Sequence, residues 1–143
     1  MSNFRKLEEE LKTYDKEWRV RFAIWCARKA LPIWEEKFAE DKRPALAIQA
    51  AQNCLDNPSL ENAKLANTAA NAAYWAANAA NAAYVARAAA MTAAAAAYAC
   101  AASAARAAAI ALNNGQSCLD LFEKYKKSLE LNTVSLQELN AGL

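Results

Sequence analysis

Apolar residues recur at three- and four-residue steps through the first third of the chain. Phe4, Leu7, Leu11, Tyr14 and Trp18 form one such series, the mark of one face of an amphipathic helix. Lys12-Thr13-Tyr14-Asp15 interrupts it, and Asp15 suits the cap of a second helix from Lys16 to about Ala30, with Trp18, Phe22 and Trp25 on its apolar face. Pro32 has no N–H to donate to the preceding turn. A kink or a restart is therefore expected there, with Ile33, Trp34 and Phe38 continuing the apolar face. Pro44 suits the first turn of a third helix that runs to about Leu55 and buries Leu46, Ile48, Ala51 and Leu55. Asn57-Pro58 predicts the same device once more, an Asn cap and a proline at the first helical position. Near the other end, Ser117 to Leu129 reads as a helix burying Leu119, Phe122 and Leu129. Ser135-Leu136-Gln137-Glu138 has the pattern of a capping box that starts a terminal turn.

Between these lies a segment whose pattern is almost all alanine. The chain has 143 residues and 39 alanines, and 30 of the alanines fall between Ala63 and Ala111. The segment stops at Asn113-Asn114-Gly115, residues that tolerate the left-handed conformation which ends helices. As one helix it would be about 75 Å long, whereas a domain of this length has a radius of gyration of about 14–15 Å. A break is expected, dividing the segment into two helices. No Gly or Pro marks it, and the tract Ala88–Ala96 is the expected place. Asn67, Asn71, Tyr74, Asn78 and Asn81 are spaced 4, 3, 4 and 3, so on a helix they share an arc of about 80°. Thr92 and Ser103 would prolong this stripe on a continuous helix. Trp75 lies at its edge, and Tyr84 and Arg87 lie on another side. Asparagine is a mediocre helix former, so four of them in one stripe call for an explanation. The stripe is either a solvated or structural face, or one wall of a ligand groove in which amides pair and rings stack.

Composition narrows the class. Two glycines and three prolines are too few for the turns of a sheet protein, and Ala, Leu, Glu, Lys and Arg are strong helix formers. The expected fold is all-α: a single-domain helical bundle over residues 1–143. Alanine side chains let helix axes approach closely but bury little area, so the rings of Trp18, Phe22, Trp25, Trp34, Phe38 and Phe122 are expected to supply the rest of the core. Lys and Arg number 17 and Asp and Glu 15, a balance that argues against general nucleic-acid binding. Residues 59–111 hold just four charges: Glu61, Lys64, Arg87 and Arg106. The longest uncharged run, Ala88–Ala105, is too weakly apolar to suggest a membrane span. A polar, charged stretch follows Met1, so no signal peptide is expected. Cys26, Cys54, Cys100 and Cys118 show no metal spacing and read as small thiols of a cytoplasmic protein, Cys26 and Cys100 lying in apolar helical stretches. There is no histidine, which removes the commonest general base and metal ligand. Glu35 with Asp41 is the remaining acid–base pair to weigh, and no nucleophile accompanies it. The chain reads as a binding protein with no cofactor and no metal, rather than an enzyme. A small Ala-rich bundle would gain buried area as a homo-oligomer through its first and last helices.

Two stretches carry a resemblance. Arg21-Phe22-Ala23-Ile24-Trp25-Cys26-Ala27-Arg28-Lys29-Ala30-Leu31-Pro32-Ile33-Trp34-Glu35 and Glu40-Asp41-Lys42-Arg43-Pro44-Ala45-Leu46-Ala47-Ile48-Gln49-Ala50-Ala51, with the Ala-rich continuation, resemble the helical immunity proteins of bacterial toxin systems, which also occur on phages and mobile elements. The shared features are W-x-x-x-x-x-L-P, a D-x-R-P helix start, an aliphatic–alanine helix and a long Ala-rich region, covering about residues 19–111. The matching positions are Trp25, Leu31, Pro32, Glu35, Asp41, Arg43 and Pro44. The Ala-rich region of the family usually carries histidines, and here Asn, Tyr and Arg stand there instead. The resemblance implies an inhibitor that sequesters a toxin or a defence-system protein without chemistry. The residues themselves leave open a second role, a sponge for a small nucleotide-like immune signal. The candidate binding residues are Trp25, Glu35, Asp41, Arg43, Asn67, Asn71, Tyr74, Trp75, Asn78, Asn81, Tyr84 and Arg87. Trp25 also reads as core, and Asp41 with Arg43 as the fixing of a helix start.

Overall fold

A computed structural model of the chain describes residues 2–80 and 83–141, with side chains as far as Leu131. It is all-α. In chain order the helices are α1 Asn3–Leu11, α2 Lys16–Lys37, α3 Arg43–Asp56, α4 Leu60–Ala79, α5 Tyr84–Ala97, α6 Ala101–Leu112 and α7 Cys118–Ala141.

Most helix starts are set by local side chains. Ser2 accepts from the Arg5 N–H at 3.2 Å, and Asp15 accepts from the Trp18 N–H at 2.9 Å, so each relieves one orphan donor of a first turn. Ser117 and Asp120 form a reciprocal capping box at α7: the Asp120 N–H donates to the serine hydroxyl at 3.2 Å, and the Ser117 N–H donates to the Asp120 carboxylate at 2.8 Å. Three expectations are corrected here. Asn57 does not cap α4. It ends α3, its carbonyl accepts from the Asn62 side chain at 2.8 Å, and Ser59 is the cap, accepting from the Asn62 N–H at 3.0 Å. The helix does not restart at Pro32, which lies inside α2. The turn there is solvent-facing at Arg28 and Pro32, so the carbonyl that loses its donor can be hydrated, while buried Ala30 and Trp34 hold the helix to the core. Ser135 starts no new turn, because α7 runs through it; the side chains of that capping box lie outside the described residues.

The alanine segment divides into three helices rather than two, and the tract Ala88–Ala96 is unbroken within α5. One break falls between Ala79 and Tyr84. The other is at Tyr98–Cys100, where Ala99 takes a left-handed φ of 63°. The Cys100 N–H reaches back to the Ala95 carbonyl at 2.9 Å, and the Ala99 N–H reaches the Ala96 carbonyl at 3.0 Å. This is the Schellman pattern, with alanine at the position usually given to glycine. An L residue there is strained by about 1–2 kcal/mol, and Ala99 is exposed. Ala99→Gly should therefore raise the unfolding free energy by about 1 kcal/mol, read as a higher urea midpoint at unchanged slope. An unchanged or lower midpoint would refute the assignment. Asn113, at φ 48°, and Gly115, at φ 82°, end α6 as their residue types predict.

Helix α5 is the centre of the assembly and packs against α2, α3, α4 and α6. Its buried residues cover about two thirds of its circumference, Ala86, Ala88, Ala90, Ala94 and Ala96 among them. Thr92 is also fully buried, and its hydroxyl donates to the Ala88 carbonyl at 2.9 Å. It and exposed Ser103 on α6 do not extend the Asn stripe, because the breaks separate them from it. A helix whose buried arc is almost all alanine lets four neighbours close in at once. Large side chains fill the other end, where α7 meets α1, α2 and α6. Tyr14 stacks on Trp18 at 3.8 Å, Phe122 meets the edges of Trp18 and Phe22 at 5.7 Å, and Tyr125 lies 5.2 Å from Trp18. Trp34 and Phe22 are among the largest fully buried side chains. Leu46 and Leu129, expected in the core, are 60% and 37% exposed. Among the described residues, no helix is long and apolar enough to cross a membrane.

Candidate functional site

Helix α4 packs on α3 and α5 and leaves a broad face to solvent. Ala66, Ala70, Ala73, Ala76 and Ala77 form its buried side. Seven-residue steps such as Ala66 to Ala73 and Ala70 to Ala77 keep these on one side, so the stripe residues face outward. Asn67, Asn71 and Tyr74 are exposed and Asn78 is half-buried. The stripe is thus a surface, not a ladder inside the bundle. Asn81 lies outside the described residues. Trp75 is 66% exposed, as is Tyr84 at the start of α5, so large rings bracket the α4–α5 connection in solvent. Arg87, one turn into α5, is half-buried, with no ion pair among the described residues.

One contact ties this face to the core. The Tyr98 hydroxyl donates to the Asn71 side-chain oxygen across 27 residues of sequence, linking the end of α5 to the middle of α4. Tyr98 was not among the residues singled out by sequence. It stands alone after a run of alanines, at the C-cap of α5, where its ring reaches α4. Leu60 and Leu65 were also missed; they are 75% and 56% exposed on the same helix. Their signal was an apolar residue without an apolar partner at helical spacing.

The remaining candidates lie elsewhere. Asp41 and Arg43 build the turn into α3. The Arg43 guanidinium donates to both carboxylate oxygens, at 2.6 Å from Nη2 and 2.9 Å from Nε, and its N–H donates to Asp41 at 3.2 Å. These bonds hold the Asp41 carboxyl below its ordinary range against an opposing push from partial burial. A carboxylate so held is a poor general acid, which argues against acid–base work with half-buried Glu35. Because the folded-state pKa is lowered, the pair contributes stability above the ordinary carboxylate value of about 3.9. That contribution is lost as pH falls through the lowered value. Asp41→Asn should flatten this part of the acid limb of stability measured by urea titration at successive pH values. A variant with the same acid limb as the parent chain would contradict the assignment. Trp25 is half-buried, 6.3 Å from Phe22 and 5.4 Å from Tyr125, with the Lys29 ammonium 4.6 Å from its ring. It serves packing and surface together. Burial pushes the thiols of Cys26 and Cys118 up, which keeps them protonated and inert. Cys100, expected in an apolar helix, is exposed in the α5–α6 turn. Among the described residues, no group of three or more Cys, Asp or Glu could hold a metal ion.

What this geometry offers is an outer helix face of rings and amides on an alanine scaffold, with few charges and no clustered nucleophiles or acids. The model of the immunity protein Imm5 family matches residues 2–125, and the chain belongs to that family. No curated protein and no solved structure gives a significant match.

Proposed function

We propose that the chain, as one domain, neutralises a toxin by binding it, without chemistry, and that the outer face of α4 with the start of α5 is the contact. Membership of the Imm5 family carries this reading. The face fits it. Tyr and Trp are enriched among the residues that dominate binding energy, and held on rigid helices they lose little side-chain freedom on binding. The amides of Asn67, Asn71 and Asn78 supply both donors and acceptors. An interface of this kind should bury at least about 1,000 Å². Four free cysteines suit a reducing compartment, which supports an encounter in the cytoplasm. The test is co-expression with the toxin together with sedimentation of the purified pair. Rescue of growth and a stable complex are expected. Growth arrest in the presence of the chain, with no complex formed, would overturn the proposal.

Capture of a small nucleotide-like ligand by the same residues is the competing reading, supported by the amide stripe beside Tyr74 and Trp75. Small-ligand sites are concave and bury most of the ligand. Tyr74, Trp75 and Tyr84 are 43%, 66% and 66% exposed, which suits a protein partner better. Calorimetry with a nucleotide panel separates the two: micromolar binding lost in Asn71→Ala and Asn78→Ala would favour the sponge.

A further inference from the structure

A cavity of about 370 Å³ opens between the first turns of α2, the end of α3, the first half of α4 and the end of α5. Its origin is the alanine sequence itself. Ala51, Ala66, Ala96 and Ala97 face it from three helices, and side chains this short cannot meet across the space. Protein interiors are otherwise close-packed, and the volume equals that of about a dozen water molecules. Val20, Leu55 and Pro58 form apolar walls. The polar groups are few and sit at the edge. The Asn67 amide has no hydrogen-bond partner among the described residues. The Tyr98 hydroxyl spends its proton on Asn71 and keeps its lone pairs free. Lys16 and Glu17 line it too, one charge of each sign, with Glu17 held by Arg21 at 2.9 Å.

A lining of mixed polarity, with a solvent-exposed amide and one charge of each sign at its edge, suits a neutral ring carrying one hydrogen-bonding atom. Asn67 belongs to the outward stripe of α4, and Tyr98 is bonded to Asn71 of the same stripe, so the cavity opens at the border of the proposed contact face. We propose that it receives a tyrosine or tryptophan side chain of the toxin, its phenol or indole polar atom bonding to Asn67. This rests on the toxin-binding reading and gives that contact its anchor. Buried aromatic anchors seated in pockets and ringed by polar groups dominate many interfaces.

The test uses the purified full chain. p-Cresol and indole, the side chains of Tyr and Trp, are titrated while backbone amide resonances are followed. Saturable shifts confined to Ala66, Asn67, Ala96 and Ala97 are expected. Ala63 is exposed at the mouth of the cavity, so Ala63→Leu places a side chain across it without disturbing the core. This variant should lose the p-cresol shifts and bind the toxin about tenfold or more weakly, the scale of a lost anchor contact. Gln49→Leu, which adds the same side chain to the exposed face of α3, should bind as the parent chain does. Absence of p-cresol and indole shifts overturns the inference, as does Ala63→Leu binding the toxin like the parent while the parent binds well. In that second case the immunity reading survives. If the parent chain binds no toxin, both fall.

Discussion

Replacing Trp34 by alanine should lower the unfolding free energy by about 4–5 kcal/mol. Trp34 is 1% exposed and lies where α2 turns toward α3. Its loss opens a cavity, for which Trp→Ala typically costs about 3–5 kcal/mol. It also removes a hydrogen bond, because the indole N–H donates to the half-buried Asp41 carbonyl at 2.9 Å, a bond with a net contribution of about 0.5–1.5 kcal/mol. The Phe38 ring, 4.6 Å away, loses its neighbour as well. Most buried residues of the chain are alanines, so few large side chains are available to shift into the space. Trp34→Phe separates the contributions: it keeps a ring in place and should cost about 1–2 kcal/mol, mainly the hydrogen bond. Urea unfolding followed by circular dichroism is the measurement, with ΔΔG taken from the midpoint at constant slope. A loss under about 2 kcal/mol for Trp34→Ala would show that the site collapses around the smaller side chain.

The helical class was legible because scarce Gly and Pro, strong helix formers and caps all agree. Asp15, Pro44 and Ser117 each mark a boundary by local chemistry, and local chemistry is what a sequence displays. The breaks at Ala79–Tyr84 and Tyr98–Cys100 were not legible in position, because alanine is neutral to its neighbours and carries no stop signal. Tertiary contact decides them. Ala99 holds a left-handed φ against its own preference, and the adjacent Tyr98 gains the bond to Asn71. Pro32 misled for a related reason: the rule that proline breaks helices counts one lost hydrogen bond, while the burial of Ala30 and Trp34 on either side outweighs it. The spacing of Asn67, Asn71, Tyr74 and Asn78 was legible, since one helix carries it. Its direction was not. Alanines fill the arc opposite the stripe, but a methyl group buries so little area that the pattern alone does not say whether the amides face solvent or a neighbouring helix. The cavity beside Asn67 left no trace in the chain either: it lies between four helices, three of which present alanines to it.

Trp75 is where the proposed contact is most exposed to disproof. It is 66% exposed and makes no ring contact among the described residues. Surface side chains of this kind change stability by less than about 0.5 kcal/mol when removed, so Trp75→Ala should unfold at the same urea concentration as the parent. Its effect on toxin binding should be far larger. An exposed tryptophan that a helix-face contact covers is a typical hot spot, worth about 2 kcal/mol or more, which is a weakening of about thirtyfold in Kd. Tyr84→Ala should behave alike on a smaller scale, and the double variant should abolish rescue from the toxin in cells. Stability and binding thereby separate at one residue, as they must for a contact side chain and cannot for a core one such as Trp34. Should both single variants bind the toxin within about twofold of the parent chain, too little for any hot spot, the contact lies off the α4 face. The groove of Trp25, Arg28 and Tyr125 at the middle of α2 would then be the next surface to alter.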